Sequence, residues 1–179
     1  KPGDKFAEAF ERGFQEIAHQ DIDYGGYTDD PRDALIEAAK NPSYRQKGWM
    51  PRTHVNVLPS GRILIPLYSD GFYVSLMAIS DDRGETWRAS SPIVGLCLNQ
   101  PSVVRKKDGT LVAYMRSEGA MRGRTQVSTS TDDGETWSFA EKIDVPNPNS
   151  SLEAIALHDG RWAMAYNDTE KGRHRLALA

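Results

Sequence analysis

The chain has 179 residues, 26% of them charged, with a formal net charge of −3. That length supports one domain with a core of its own, and the charge balance leaves no basic footprint for nucleic acid. No apolar run reaches the roughly 18 residues of a membrane span, no leader-like segment is visible, and the single cysteine, Cys97, cannot form an intrachain disulfide and argues against a thiolate metal site.

In chain order, residues 3–20 predict a helix, with Phe6, Phe10, Phe14 and Ile17 recurring on one face. Tyr24-Gly25-Gly26-Tyr27 reads as a loop. A second helix is expected to start at Asp30 as N-cap with Pro31 at its first position and Asp33 in its first turn. It runs through Ala39 and stops before Asn41-Pro42. We expect residues 1–47 to be a helical segment beside a β domain spanning 48–179.

From Trp49 onward the chain reads as strands on one repeated plan. Apolar runs at 54–58 and 62–68 flank Ser60-Gly61, those at 102–105 and 110–116 flank Asp108-Gly109, and those at 152–157 and 161–166 flank Asp159-Gly160. These are hairpin signals. A third strand follows each hairpin, at 74–79, 124–129 and 174–178. Cys97 falls in the apolar run 93–98 and is expected to act as a small buried hydrophobe.

Two of the third strands lead into copies of one motif, S-x-D-x-G-x-T-W, at Ser80–Trp87 and Ser130–Trp137. The aspartate can accept backbone N–H bonds within its own turn, the glycine can take positive φ, and the tryptophan is expected to bury its ring. We read the motif as a hairpin lock rather than a ligand or calcium loop. Motifs and hairpins both recur at about fifty residues, a period of propeller blades. The sequence therefore predicts an all-β fold, a β-propeller fragment of about three blades with the third truncated, preceded by the helical segment. Since a closed propeller needs at least four blades, we expect a fragment of a longer protein or a homo-oligomer that completes the ring.

Counting pairs across two-residue turns places Gln100 opposite Ser117, Pro101 opposite Arg116, Arg52 opposite Ser69, and Ser151 opposite Asp168. The hairpin ends away from the turns are polar: Arg52, His54 and Asp70; Gln100, Arg116 and Glu118; Asn149, Glu153, Asn167 and Asp168. Equivalent blade ends share one face, so these groups are expected to converge on a pocket suited to a polyhydroxylated or anionic ligand. If the site is catalytic, Asp70, Glu118 and Glu153 are the carboxyl groups it offers as acid and base, and glycoside hydrolysis would need two of them. Glu153 lies among apolar residues, where burial would raise its pKa toward acid duty. Arg52, His54, Gln100, Arg116, Asn149 and Asn167 are the candidate substrate-binding residues. No motif calls for a metal or a cofactor.

The S-x-D-x-G-x-T-W copies are Asp boxes, or BNR repeats, and resemble those of sialidases and related six-bladed propellers. Gln100-Pro101-Ser102-Val103-Val104 through Asp108-Gly109 to Arg116 resembles a sialidase stretch opened by a glutamate and closed by an arginine. The resemblance implies that Arg116, and by a weaker match Arg52, bind a substrate carboxylate. It also exposes a departure: Gln100 stands where that glutamate assists a tyrosine nucleophile, and no tyrosine falls near 149–152. An amide cannot serve as a general base, so the Tyr/Glu mechanism is not supported. The run 48–179, through 61–70, Gln100-Pro101-Ser102, 146–150 and Tyr166-Asn167-Asp168, looks closer to a bacterial sialidase-like, predicted neuraminidase group. The implied function is a sialidase-like glycoside hydrolase, exo-acting on a terminal sugar with polar or acidic groups, with a non-catalytic glycan-binding propeller as the alternative and a structural propeller as a third class. The expected partner is a carbohydrate, with no nucleic acid and no membrane. The resemblance implies a secreted or periplasmic location.

Overall fold

The computed structural model describes residues 1–17, 31–95, 98–117 and 123–179. The expected Tyr24–Tyr27 loop, the Asp30 cap, Cys97 and Glu118 lie outside the described residues. Helix α1 spans Asp4–Glu16, α2 Arg32–Lys40 and α3 Pro42–Arg45. The expected apolar face of α1 is the buried one: Phe6, Phe10, Phe14 and Ile17 are each at most 3% exposed. With Ala39 of α2 they pack on Phe72, Val74, Leu76 and Val94 of the first sheet. Phe10 meets Phe72 edge-on at 5.5 Å, an arrangement favoured by the ring quadrupoles. A Cβ on Gly13 would sit 2.7 Å from Val94 Cγ2, so the helix approaches the sheet too closely for any larger residue. Pro31 is the N-cap of α2 rather than its first helical residue. Asn41-Pro42, expected only as a stop, also starts α3: the Asn41 side chain accepts from Ser43 N at 2.9 Å, and proline suits a first helical position.

The rest is three antiparallel sheets. The first contains β1 (Met50–Pro51), β2 (Asn56–Val57), β3 (Ile63–Ser69), β4 (Val74–Ser80) and β5 (Arg88–Ala89), ordered β1-β3-β4-β5 with β2 also on β3. The second is the meander β6 (Leu98–Arg105), β7 (Leu111–Ser117), β8 (Gly123–Ser130) and β9 (Glu141–Asn147). The third is β10 (Glu153–Ala156), β11 (Trp162–Asn167) and β12 (Leu176–Leu178). These are successive propeller blades, and β6 lies against both β3 and β10. Strand alternation explains how β6 serves two neighbours. Val103 joins Leu64, Met77 and Ile79 of the first sheet, while Val104 joins Ala154 and Trp162 of the third.

Each hairpin departs by one residue from the expected register. The loops hold three residues, closed by Leu58 N–H to Arg62 O (2.8 Å), Lys106 N–H to Thr110 O (2.8 Å) and Leu157 N–H to Arg161 O (2.7 Å). Gly61, Gly109 and Gly160 sit at φ 87°, 96° and 84°, the left-handed position that ends such a loop. Hence Val104 pairs with Val112 and Glu153 with Ala165. A bulge between Asn99 and Ser102 shifts the register again, so Asn99, not Pro101, faces Arg116, and Leu98, not Gln100, faces Ser117. Ser69 pairs with Val74, and Arg52 lies just beyond β1 instead of opposite it.

Both Asp boxes form the expected lock. Ser80 Oγ donates to Asp82 (2.8 Å) and accepts from Gly84 N, Asp82 accepts from Thr86 N (2.9 Å), and the Trp87 indole donates to Gly84 O (2.9 Å). Ser130, Asp132, Gly134, Thr136 and Trp137 repeat the pattern. The expectation of two buried rings needs correction. Trp137 packs on the core between the first two sheets, whereas Trp87 remains 40% exposed.

Candidate active site

The bulge at the start of β6 organises the cluster. Pro101 can donate nothing to a ladder, so a strand interior accommodates it at a bulge. Gln100 there takes φ 57°, a strained value for a side chain of its kind, and is 9% exposed. Around it the three sheets are tied together. Thr53 Oγ1 donates to Pro101 O at 2.5 Å. Asn99 Nδ2 donates to Asp70 Oδ1 at 3.0 Å, and Gln100 Nε2 donates to the Tyr68 hydroxyl at 3.4 Å. Ser102 Oγ donates to Glu153 Oε1 at 3.1 Å and accepts from Ala154 N at 2.9 Å. The same Glu153 oxygen pairs with His54 Nδ1, and Arg52 Nε reaches Ser151 Oγ at 3.5 Å.

Where the second sheet passes into the third, Asn147 at the end of β9 and Ser150 exchange two 3.0 Å bonds, and Asn167 Nδ2 donates to Ser150 Oγ at 3.1 Å. Asn149 adopts φ 63°, and its carbonyl accepts from Arg173 at 2.7 Å. Asp168 pairs with Arg175 at 3.0 Å.

Arg52, His54, Asp70, Gln100 and Glu153 thus each take part in a contact between blades. Asn149 belongs to the loop that Arg52 touches, Asn167 at the end of β11 donates to Ser150 of that loop, and Arg116 is half-buried opposite Asn99. Glu118 lies outside the described residues. Glu153 is not buried among apolar groups as expected: its side chain is 39% exposed, because β10 turns it toward His54 and Ser102. Sequence reasoning missed Asn99, Ser102, Thr53 and Ser151. Pro101 inside an apolar strand was the available signal for the bulge that presents Asn99.

Chemically, one Glu153 oxygen holds both partners, His54 and Ser102, in a side chain that is part-exposed. Asn99 Oδ1, Gln100 Oε1 and Asn149 Oδ1 are buried and accept no bond from the described residues. Buried acceptors of this kind suit a ligand rich in donors. Among the described residues no group of three or more His, Cys, Asp or Glu side chains is placed to hold a metal ion. No described helix is long and apolar enough to cross a membrane.

Comparison with known proteins agrees with this architecture. Over 81 residues, 44% of the chain, it is 33% identical to the anhydrosialidase of Macrobdella decora, of which it covers 10%. A solved protein of unknown function from Dyadobacter fermentans superposes with a TM-score of 0.61 at 26% identity, over 73% of this chain and 36% of that one. The NanB sialidase from Streptococcus pneumoniae superposes with a TM-score of 0.59 at 27% identity, over 69% of this chain and 20% of that one. The chain therefore spans only a small part of the relatives it matches. The family model for the BNR repeat-like domain matches residues 45–179, most of the sequence, and the chain belongs to that sialidase-like family.

Proposed function

We propose that this chain contributes to a sialidase-like glycoside hydrolase that takes a terminal, acidic sugar where its three blades meet, and acts without the Tyr/Glu pair. The observation that carries the reading is the Glu153 carboxylate, held by a histidine from the first blade and a serine from the second. Glu153 serves as acid or base, and Asp70, held by Asn99, is the second carboxyl group. Glu118 is the third candidate. Arg52 and Arg116 bind the sugar's acidic group or hydroxyls, and His54, Gln100, Asn149 and Asn167 hydrogen-bond its ring substituents. The sialidases among its relatives support this reading.

The second reading, glycan binding without turnover, is favoured by Gln100, an amide that moves no proton. In both, residues 1–47 dock as a helical segment on a propeller running over 48–179. Leu176 and Leu178 are 77% and 81% exposed on one face of β12, which supports a further blade, including one of another copy, packed on that face.

The test is hydrolysis of aryl glycosides, sialosides and neutral sugars included, by the intact protein and by Asp70→Asn, Glu118→Gln and Glu153→Gln. At least one change should lower turnover by a factor of about 100 or more with folding intact. Wild-type rates in all three remove the catalytic assignment. Binding without any hydrolysis selects the second reading.

A further inference from the structure

We infer that the helical segment and the turn after β3 form a second sugar subsite beside the candidate site, with Tyr44 as its platform. This rests on the carbohydrate reading above and extends it to the unit next to the terminal sugar. A cavity of about 520 Å³ opens between α3 and the β3–β4 turn, lined by Tyr44, Ser43, Lys47, Met50, Asp70 and Phe72. Its volume falls within the range of small-ligand sites. Tyr44 is 64% exposed and Met50 37%, so an aromatic face and a thioether are presented to solvent together.

Around that apolar floor stand an ammonium, a hydroxyl and a carboxylate. A pyranose matches both features: its C–H face lies on an aromatic ring, and its hydroxyls bond the rim. A purely apolar occupant would leave Lys47 and Asp70 without hydrogen bonds to the ligand.

The cavity adjoins the candidate site at Asp70, at the end of β3. Asp70 lines it and is bonded to Asn99. Met50 pairs in register with Tyr68, whose hydroxyl accepts from Gln100. A ligand anchored at the Gln100 bulge therefore extends toward Tyr44. The platform is held firmly: next to Tyr44, Arg45 is 4% exposed and donates to Lys40 O at 2.7 Å, and Trp49 Nε1 donates to Arg45 O at 2.7 Å.

The experiment measures binding of the intact protein to an array on which each terminal sugar, sialic and glucuronic acid included, appears alone and extended by lactose. Wild type should prefer the extended glycan. Tyr44→Ala should reduce that preference about three- to tenfold, the scale of one aromatic contact, with single-sugar binding and melting temperature unchanged. Tyr44→Phe should retain it. Equal binding of short and extended glycans, or a preference that survives Tyr44→Ala, overturns the subsite. Activity separates the two readings: hydrolysis of aryl glycosides without the length preference sinks the subsite alone, and the preference without hydrolysis sinks only the catalytic role.

Discussion

Ser80 and Ser130 each bridge an aspartate and a glycine amide, yet their two Asp boxes stand in different surroundings. A Cβ on Gly134 would meet Leu64 Cδ1 at 3.1 Å, while one on Gly84 would meet only its own box's Trp87, at 3.6 Å. The second box docks on the first blade. Arg62 donates to Asp133 O at 3.0 Å and pairs with Glu135 at 3.1 Å, and Ser91 N donates to Glu135 O at 2.9 Å. The first box gains Arg62 and Arg88 at Asp81, at 2.7 and 2.6 Å. The motif thus sets its own hydrogen bonds, and the neighbouring blade decides how much stability its tryptophan contributes.

The largest expected effect comes from the two rings. Trp137→Ala should destabilise by about 3 kcal/mol, near the low end for loss of a large core ring, and Trp87→Ala by about 1 kcal/mol, since much of its ring already meets water. Denaturant melts of both variants measure this, and equal losses would break the comparison.

A smaller effect is expected at Arg62, which touches both boxes. Arg62→Ala should cost about 1 kcal/mol, at the upper end for exposed pairs because several bonds share the side chain. The loss should shrink in about 1 M salt. A salt-independent loss would assign Arg62 a packing role instead.

The smallest effect concerns acid. Hydrogen bonds from the Thr86 hydroxyl and amide and from Ser80 hold the Asp82 carboxyl down to about 2 from 3.8. For Asp132 burial pushes upward, but the Thr136 and Ser130 bonds outweigh it and its pKa is also lowered. The unfolded carboxylates take up protons at a higher pH than the folded ones. The contribution of Asp82 is therefore present above pH 3.8 and is lost as pH falls toward about 2, and that of Asp132 is lost in the same direction. Asp82→Asn should flatten the acid limb of the stability profile, and an unchanged limb would remove Asp82 from it.

Local patterns carried much of this fold into the sequence. The phenylalanine spacing of α1, the three turn glycines and the box motif each depend on neighbours within a few residues, and each formed the element expected. What failed depended on finer or more distant facts. Ser-Gly and Asp-Gly suit two-residue turns and three-residue loops alike, so all three registers slipped by one. Asn41-Pro42 both ends one helix and starts another. Trp87 differs from Trp137 only through what packs on it. At the site, the polar hairpin ends named Asp70, Gln100, His54 and Glu153, each of which has a hydrogen-bond partner on another sheet or strand. The partnerships of Asn99 with Asp70 and Ser102 with Glu153 were hidden because they arise from blade contact.

The bond between His54 and Glu153 spans 99 positions of sequence. Each meander, by contrast, pairs strands that are near neighbours along the chain. Closing a long loop carries an entropic penalty that short hairpins avoid, and such contacts slow folding. Sheets should therefore nucleate one by one, and the cluster at Glu153 should assemble only after all three exist. During synthesis the ribosome must have released β10 before His54 can meet its partner. The cluster at Glu153 is then expected to mature late and, under stress, to come apart early.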